Sequence, residues 1–150
     1  MKKIISLAII VVAMFSQVQA QKTEIYAPGG KAIRGYDPVA FFTDSKPVMG
    51  ADSLSFSWKG ATWQFANRQN LQRFKANPEK YAPQYGGYCA YGMSEGHKAP
   101  TDPNAWTIVN DKLYLNYSPK VKEMWIKNPS ERIEMANKNW TTLKDKESKM

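Results

Sequence analysis

The stretch Gln84 to His97, QYGGYCAYGMSEGH, constrains this fold more than any other part of the chain. It places four glycines and three tyrosines in fourteen residues. Glycine inside a helix or strand costs roughly 0.5–1 kcal/mol relative to alanine, so no single regular element is expected to run through the segment. The backbone there must bend sharply or pack closely against a neighbour. The same segment holds the chain's one Cys, Cys89, and its one His, His97. A single thiol and a single imidazole exclude a disulfide-stapled miniprotein, a four-Cys or two-Cys-two-His zinc site, and a c-type haem attachment.

Regular elements are expected on both sides of this segment. Asp37 and Pro38 form a helix-start signal, an amide-capping side chain followed by a ring that presets φ, for a short helix ending by Asp44 to Pro47. A turn is expected at Gly50 to Asp52. Leu54 to Trp58 and Thr62 to Phe65 alternate apolar with polar around Lys59-Gly60, which predicts a β-hairpin with Leu54, Phe56 and Trp58 on one face. Asn67 caps a following helix that carries Leu71 and Phe74 and is closed by Asn77-Pro78, with a second short piece over Pro78 to Pro83. A second hairpin is predicted from Ala105 to Val109 and Lys112 to Tyr117 around Asn110-Asp111. Ser118-Pro119 begins a helix with Val121, Met124 and Trp125 on one side. Asn128-Pro129-Ser130 begins another with Ile133, Met135, Ala136 and Trp140. Repetition extends no further than these two hairpin-then-helix units. The predicted fold class is α+β, one small domain of antiparallel β-hairpins with short helices packed on them.

Residues 1–20 carry the pattern of a cleavable signal peptide. Lys2 and Lys3 precede an apolar run from Ile4 to Phe15 interrupted only by Ser6, and Val18-Gln19-Ala20 is a small-residue cleavage site. The run is about a dozen residues, where a spanning helix needs roughly 20. Cleavage after Ala20 removes two of the 21 basic residues and lowers the net charge from +8 to +6. The expected organisation is then a polar N-terminal arm at 21–32, a domain over 33–143 with a C-terminal helical extension, and a charged tail at 144–150. No transmembrane segment is expected in the mature chain, and the location is periplasmic or secreted. Nucleic acid is excluded as a partner, because an exported protein rarely meets it and the lysines are scattered among acids. In an oxidising compartment the lone Cys89 must be buried, capped, metal-bound, paired with another chain or reactive.

Several of these residues together resemble the YHS domain family, which is related to the heavy-metal-associated TRASH domains. The resemblance runs through Gly35-Tyr36-Asp37-Pro38-Val39, the hairpin with Gly60 before an aromatic strand, and Phe74 with Asn77-Pro78-Glu79-Lys80-Tyr81. It continues through Tyr85-Gly86-Gly87-Tyr88-Cys89-Ala90-Tyr91, and Trp106 to Tyr117 with Trp125 is similar to the exported branch of that family. The resemblance implies a small binding module with a heavy-metal association. Metal-binding members place cysteines after the Asp-Pro-Val opening and near the strand-to-helix junction. This chain has Ala40 at the first place and Ala66-Asn67-Arg68-Gln69-Asn70 at the second, so only Cys89 remains as a comparable group.

Three functional readings follow. Cys89, Met93 and His97 are spaced by four, which on a helix would align a thiolate, a thioether and an imidazole. That soft set suits Cu(I), with Zn(II) less natural for the thioether, although Gly92 and Gly96 weaken the helix. In this reading the protein binds or senses a soft metal such as copper. The alternative is a structural or protein-interaction domain with an envelope protein as partner, a buried, inert Cys89 and no metal. The third is a thiol enzyme with Cys89 as nucleophile, His97 as base and Asp102 as orienter, unsupported by any oxyanion-hole feature. The remaining carboxylates sit at caps and turns, so no pair is available for acid/base work and no catalytic residue is assigned.

Overall fold

The computed structural model describes residues 24–148 and 150. The signal peptide expected at 1–20 therefore lies outside the described residues. Two antiparallel hairpins organise the rest. The first pairs β1 (Ala51–Trp58) with β2 (Ala61–Phe65), and the second pairs β3 (Asp102–Val109) with β4 (Lys112–Asn116). Each turn is two residues at positive φ, Lys59-Gly60 at 51° and 75° and Asn110-Asp111 at 50° and 60°, the backbone that matches the right-handed twist of the strands. Around them pack α1 (Ala40–Thr43), α2 (Arg68–Ala76), α3 (Pro78–Tyr81), α4 (Ala90–Ser94), α5 (Pro119–Trp125) and α6 (Pro129–Leu143). The architecture is α+β in a single small domain. No helix among the described residues is long and apolar enough to cross a membrane.

Local chemistry explains the helix starts. Asn67 Oδ1 accepts from the Asn70 amide at 2.8 Å, and Ser118 Oγ accepts from the Val121 amide at 3.2 Å, each satisfying an amide that has no partner within its own helix. Strand β1 begins at Ala51, where a turn at Gly50 to Asp52 was expected, because a bulge between Ala51 and Ser55 lets the strand bend and resume pairing.

Two cores flank β4. Leu113 and Leu115 join Ile33, Phe41, Trp63, Phe65 and Phe74 in the first core, while Tyr114 joins Tyr85, Met93, Trp125 and Ala136 in the second. The alternation of side chains along a strand sends consecutive residues to opposite faces, so β4 is buried on both sides. Phe74 centres the first core, with the rings of Trp63, Phe65 and Trp58 at 5.0, 5.2 and 5.6 Å. On α5 and α6, Trp125 and Ala136 are buried as expected, but Met124 and Met135 are 43% and 40% exposed. Each helix packs on one side only and buries a narrow stripe, Trp125 on α5 and Ala136 on α6, and the two methionines lie outside it.

The expected arm also proves to be part of the packing. Ile25, Tyr26 and Ala32 are buried, the Tyr26 amide donates to the Gly86 carbonyl at 2.8 Å, and the Ile33 amide donates to the Tyr26 carbonyl at 2.9 Å. Gly86 permits this docking, because a Cβ there would stand 1.7 Å from the Glu24 carbonyl oxygen. The tail is held too: Lys98 Nζ donates to the carbonyls of Lys144 and Lys146 at 3.0 and 2.7 Å.

The two hairpin units match beyond the hairpins. Each strand of the second begins 51 residues after its counterpart in the first, Ala51 to Asp102 and Ala61 to Lys112, and both carry the same bulge near the strand start. Upstream of each hairpin a 3-10 turn holds two residues at positive φ before a closing glycine that is also at positive φ, Ile33 and Arg34 before Gly35 in one, Tyr85 and Gly86 before Gly87 in the other. Each is followed by Gly-Tyr, Gly35-Tyr36 and Gly87-Tyr88, and each leads into a short helix, α1 or α4.

Candidate functional site

The repeated geometry places Asp37 and Cys89 in equivalent positions. The Asp37 amide donates to the Val48 carbonyl at 2.8 Å, and the Cys89 amide donates to the Ala99 carbonyl at 3.0 Å. The Gly35 carbonyl accepts from the Gly50 amide at 2.9 Å, while the Gly87 carbonyl accepts from Thr101 Oγ1 at 2.7 Å. Both side chains then enter a cradle of backbone N–H groups at the head of a short helix.

In the first cradle the carboxylate is fully engaged. Asp37 Oδ1 accepts from the amides of Val39 and Ala40 at 2.8 and 3.3 Å. Oδ2 accepts from the Ala66 amide at 2.9 Å and from Asn70 Nδ2 at 2.8 Å. Asp37 is wholly buried, and these four donors are what make a buried charge tolerable.

In the second cradle a neutral thiol stands where the carboxylate was. Cys89 is 2% exposed, and its Sγ accepts from the Gly92 amide at 3.4 Å and lies 3.5 Å from Asn116 Oδ1, to which the thiol donates. Burial pushes the thiol pKa up, while the backbone N–H groups of Gly92, Tyr117 and Tyr91 pull against that shift. These are the amides at the positions occupied by Ala40, Ala66 and Val39 in the other half. Asn116 Oδ1 also accepts from the Tyr91 amide at 2.9 Å, and its Nδ2 is buried without a hydrogen-bond partner. Rotating the carboxamide would face that amino group onto the Tyr91 N–H, so the orientation is fixed by its partners.

The other predicted site residues separate around Cys89. Met93 is fully buried and packs in the second core with Tyr85, Tyr114 and Trp125. His97 lies beyond the end of α4 and is exposed; its amide donates to the Gly92 carbonyl at 3.0 Å, and its Nε2 would stand 3.2 Å from a Cβ on Gly92. Cys89 and His97 therefore both touch Gly92, while the Met93 side chain is committed to packing. Asp102 Oδ1 accepts from the Asn104 amide at 2.9 Å, as a turn residue does. No group of three or more His, Cys, Asp or Glu side chains gathers as a metal-holding set among the described residues.

Helix α6 holds α4 in place. Arg132 stacks over the Tyr91 ring at 4.1 Å, donates to Ser94 Oγ at 3.0 Å and pairs with Glu95, and Asn139 Nδ2 donates to the Met93 and Ser94 carbonyls at 2.9 and 3.2 Å. A cleft of about 600 Å³ lies elsewhere, lined by Tyr26, Gly29, Gly60, Tyr88 and Glu147. Asn116 was missed from sequence, since nothing local marks an Asn at a strand end as the partner of a thiol 27 residues away. A signal for the equivalence was present in the pair Gly35-Tyr36-Asp37 and Gly87-Tyr88-Cys89. No family model matches the chain, and no curated protein or solved structure matches it.

Proposed function

We propose that the chain is an exported, non-catalytic binding module of the YHS type that engages a protein partner through its surface, with Cys89 serving as a helix cap. The observation that carries this reading is the engagement of the thiol. Cys89 is 2% exposed, and its sulfur accepts from the Gly92 amide while the thiol donates to Asn116, which engages a lone pair and the proton that a metal or a substrate would use. Exposed apolar side chains suited to a partner, Tyr117, Met124 and Ile126, fall in and beside α5, among Lys120, Lys122 and Lys127.

The soft-metal reading stays second, favoured by the contact of both Cys89 and His97 with Gly92. Ligands of one ion need donor atoms roughly 3–4 Å apart. Titration of the reduced protein lacking residues 1–20 with Cu(I) and Zn(II) separates the two. Equal, weak uptake by wild type, Cys89→Ser and His97→Ala is expected. Tight stoichiometric uptake by wild type that both variants lose would replace the first reading with the second.

A further inference from the structure

The two halves repeat past their hairpins, and the repeat separates the surface residues the fold needs from those it does not. Helices α2 and α5 begin 51 residues apart, at Arg68 and Pro119, each behind a side-chain cap, Asn67 or Ser118. Each buries an aromatic at the same place, Phe74 in one and Trp125 in the other. On either side of that aromatic the helices part. The first carries Arg73 and Lys75, both exposed, whereas the second carries Met124 and Ile126, 43% and 47% exposed. Ahead of the caps, Ala66 corresponds to Tyr117, which is 58% exposed. A backbone that takes a guanidinium and an ammonium at these positions does not require apolar groups there, so Met124 and Ile126 answer to something outside their own helix. With Met135 on α6, four of the six large apolar side chains exposed among the described residues fall between 117 and 135, a concentration that singly scattered surface hydrophobes do not show.

The charges around these side chains divide by helix. Lys120 and Lys127 are exposed in and just after α5, and Glu131 and Glu134 are exposed on α6; Glu123 and Lys138 are the exceptions, one on each helix. None of the first four enters an ion pair among the described residues. Arg132, between the two glutamates, is taken up by Glu95, and Lys122 lies over the Trp106 ring at 5.7 Å. The helices follow one another across a short turn and both pack on the second core, through Trp125 and Ala136. We propose that a second copy of this chain covers this corner, with α5 of one protomer against α6 of its partner and, by the two-fold axis, α6 against α5. An isologous interface needs a patch complementary to itself, and unpaired charges of opposite sign on successive helices provide one. Two copies so related bring Lys120 and Lys127 to Glu131 and Glu134 twice, with the apolar side chains between them. Apolar burial supplies the affinity, while the charges set register and encounter rate. This rests on the reading of the chain as a partner-binding module and names the partner.

The test measures mass by sedimentation velocity on the reduced protein lacking residues 1–20, at rising concentration and at low and high salt. A dimer is expected, weaker at high salt. Met124→Arg with Ile126→Lys, which copies α2, is expected to keep the wild-type far-ultraviolet circular dichroism and to weaken the dimer by about tenfold or more. Lys120→Glu with Lys127→Glu, and separately Glu131→Lys with Glu134→Lys, are each expected to be monomeric, because like charges then meet in both contacts. An equal mixture of these two variants is expected to form a heterodimer, since each contact again joins opposite charges; a variant that had merely misfolded is not repaired by mixing. The proposal is overturned if the wild type stays monomeric at every concentration, if Met124→Arg with Ile126→Lys dimerises as tightly as wild type, or if the charge variants keep the wild-type affinity or, folded, fail to associate when mixed. A monomeric wild type overturns the self-association alone, since the metal titration decides the partner-binding reading separately.

Discussion

A cap can be a local detail or a long-range tie, and Asp37 is the second kind. From sequence it is the side chain that starts a short helix, and it does accept from Val39 and Ala40. It also accepts from Ala66 and Asn70, about thirty residues on, so one carboxylate joins α1 to the junction of β2 and α2. Asp37→Ala would strand three amides and a carboxamide in the interior, and breaking such a buried charged cluster costs about 3–5 kcal/mol. The urea midpoint is expected to fall by about 2 M with the m-value unchanged. A fall no larger than the typical loss of a surface cap, about 1 kcal/mol, would show that Asp37 caps only its own helix. The capping role was legible because it depends on residues two and three positions away. The tie was not, because nothing near Asp37 names Ala66 or Asn70.

At the scale of elements, the hairpins were the most legible feature and the Gly-rich segment the least. Alternation over Leu54 to Trp58 and the two-residue turns at Lys59-Gly60 and Asn110-Asp111 survive in the structure because period-2 patterning and turn chemistry act over short range. The second turn offers a clean check. Asp111 sits at φ 60°, where a side chain is strained and glycine is not. Asp111→Gly is therefore expected to stabilise the protein by up to about 1 kcal/mol, read as a higher urea midpoint; a lower one would mean that the Asp111 side chain holds the turn. Gln84 to His97 was recognised as bending sharply, yet its division into a 3-10 turn, a cap and the five-residue α4 follows from contacts outside it. Glu24 and Tyr26 dock against Gly86, and α6 clamps α4 through Arg132 and Asn139.

The whole molecule is two similar halves closed over β4, and that closure buries titratable groups. Burial pushes the pKa of Cys89, Tyr88 and Tyr114 above their ordinary values, and that of Tyr85 further still, helped by Tyr114. Each is an acid that stays protonated longer when folded. Above the ordinary values of 9.0 for the thiol and 10.0 for the phenols, the unfolded chain binds fewer protons than the folded one, so stability falls as pH rises. Burial lowers the pKa of Lys98, which acts in the opposite sense. Urea unfolding from pH 7 to 11 is expected to give a level ΔG to about pH 8 and a decline above pH 9. Tyr85→Phe should flatten the slope above pH 10 by up to about 1.4 kcal/mol per pH unit. A slope unchanged by that substitution would mean that Tyr85 ionises freely in the folded protein.

The sequence by itself determined what short-range physics decides: the α+β class, both hairpins and their turns, the caps at Asn67 and Ser118, and the bending of the segment around Cys89. Tertiary structure alone decided that the chain before Ile33 enters the core, that β4 is buried on both faces, that Met124 and Met135 remain outside, and that Cys89 and Asp37 are counterparts. The division has one cause. Propensity, alternation and capping act between residues a few positions apart, whereas the surroundings of Cys89 are assembled from Tyr91, Ala99, Asn116 and Tyr117, which only the closing of the second hairpin over α4 brings together.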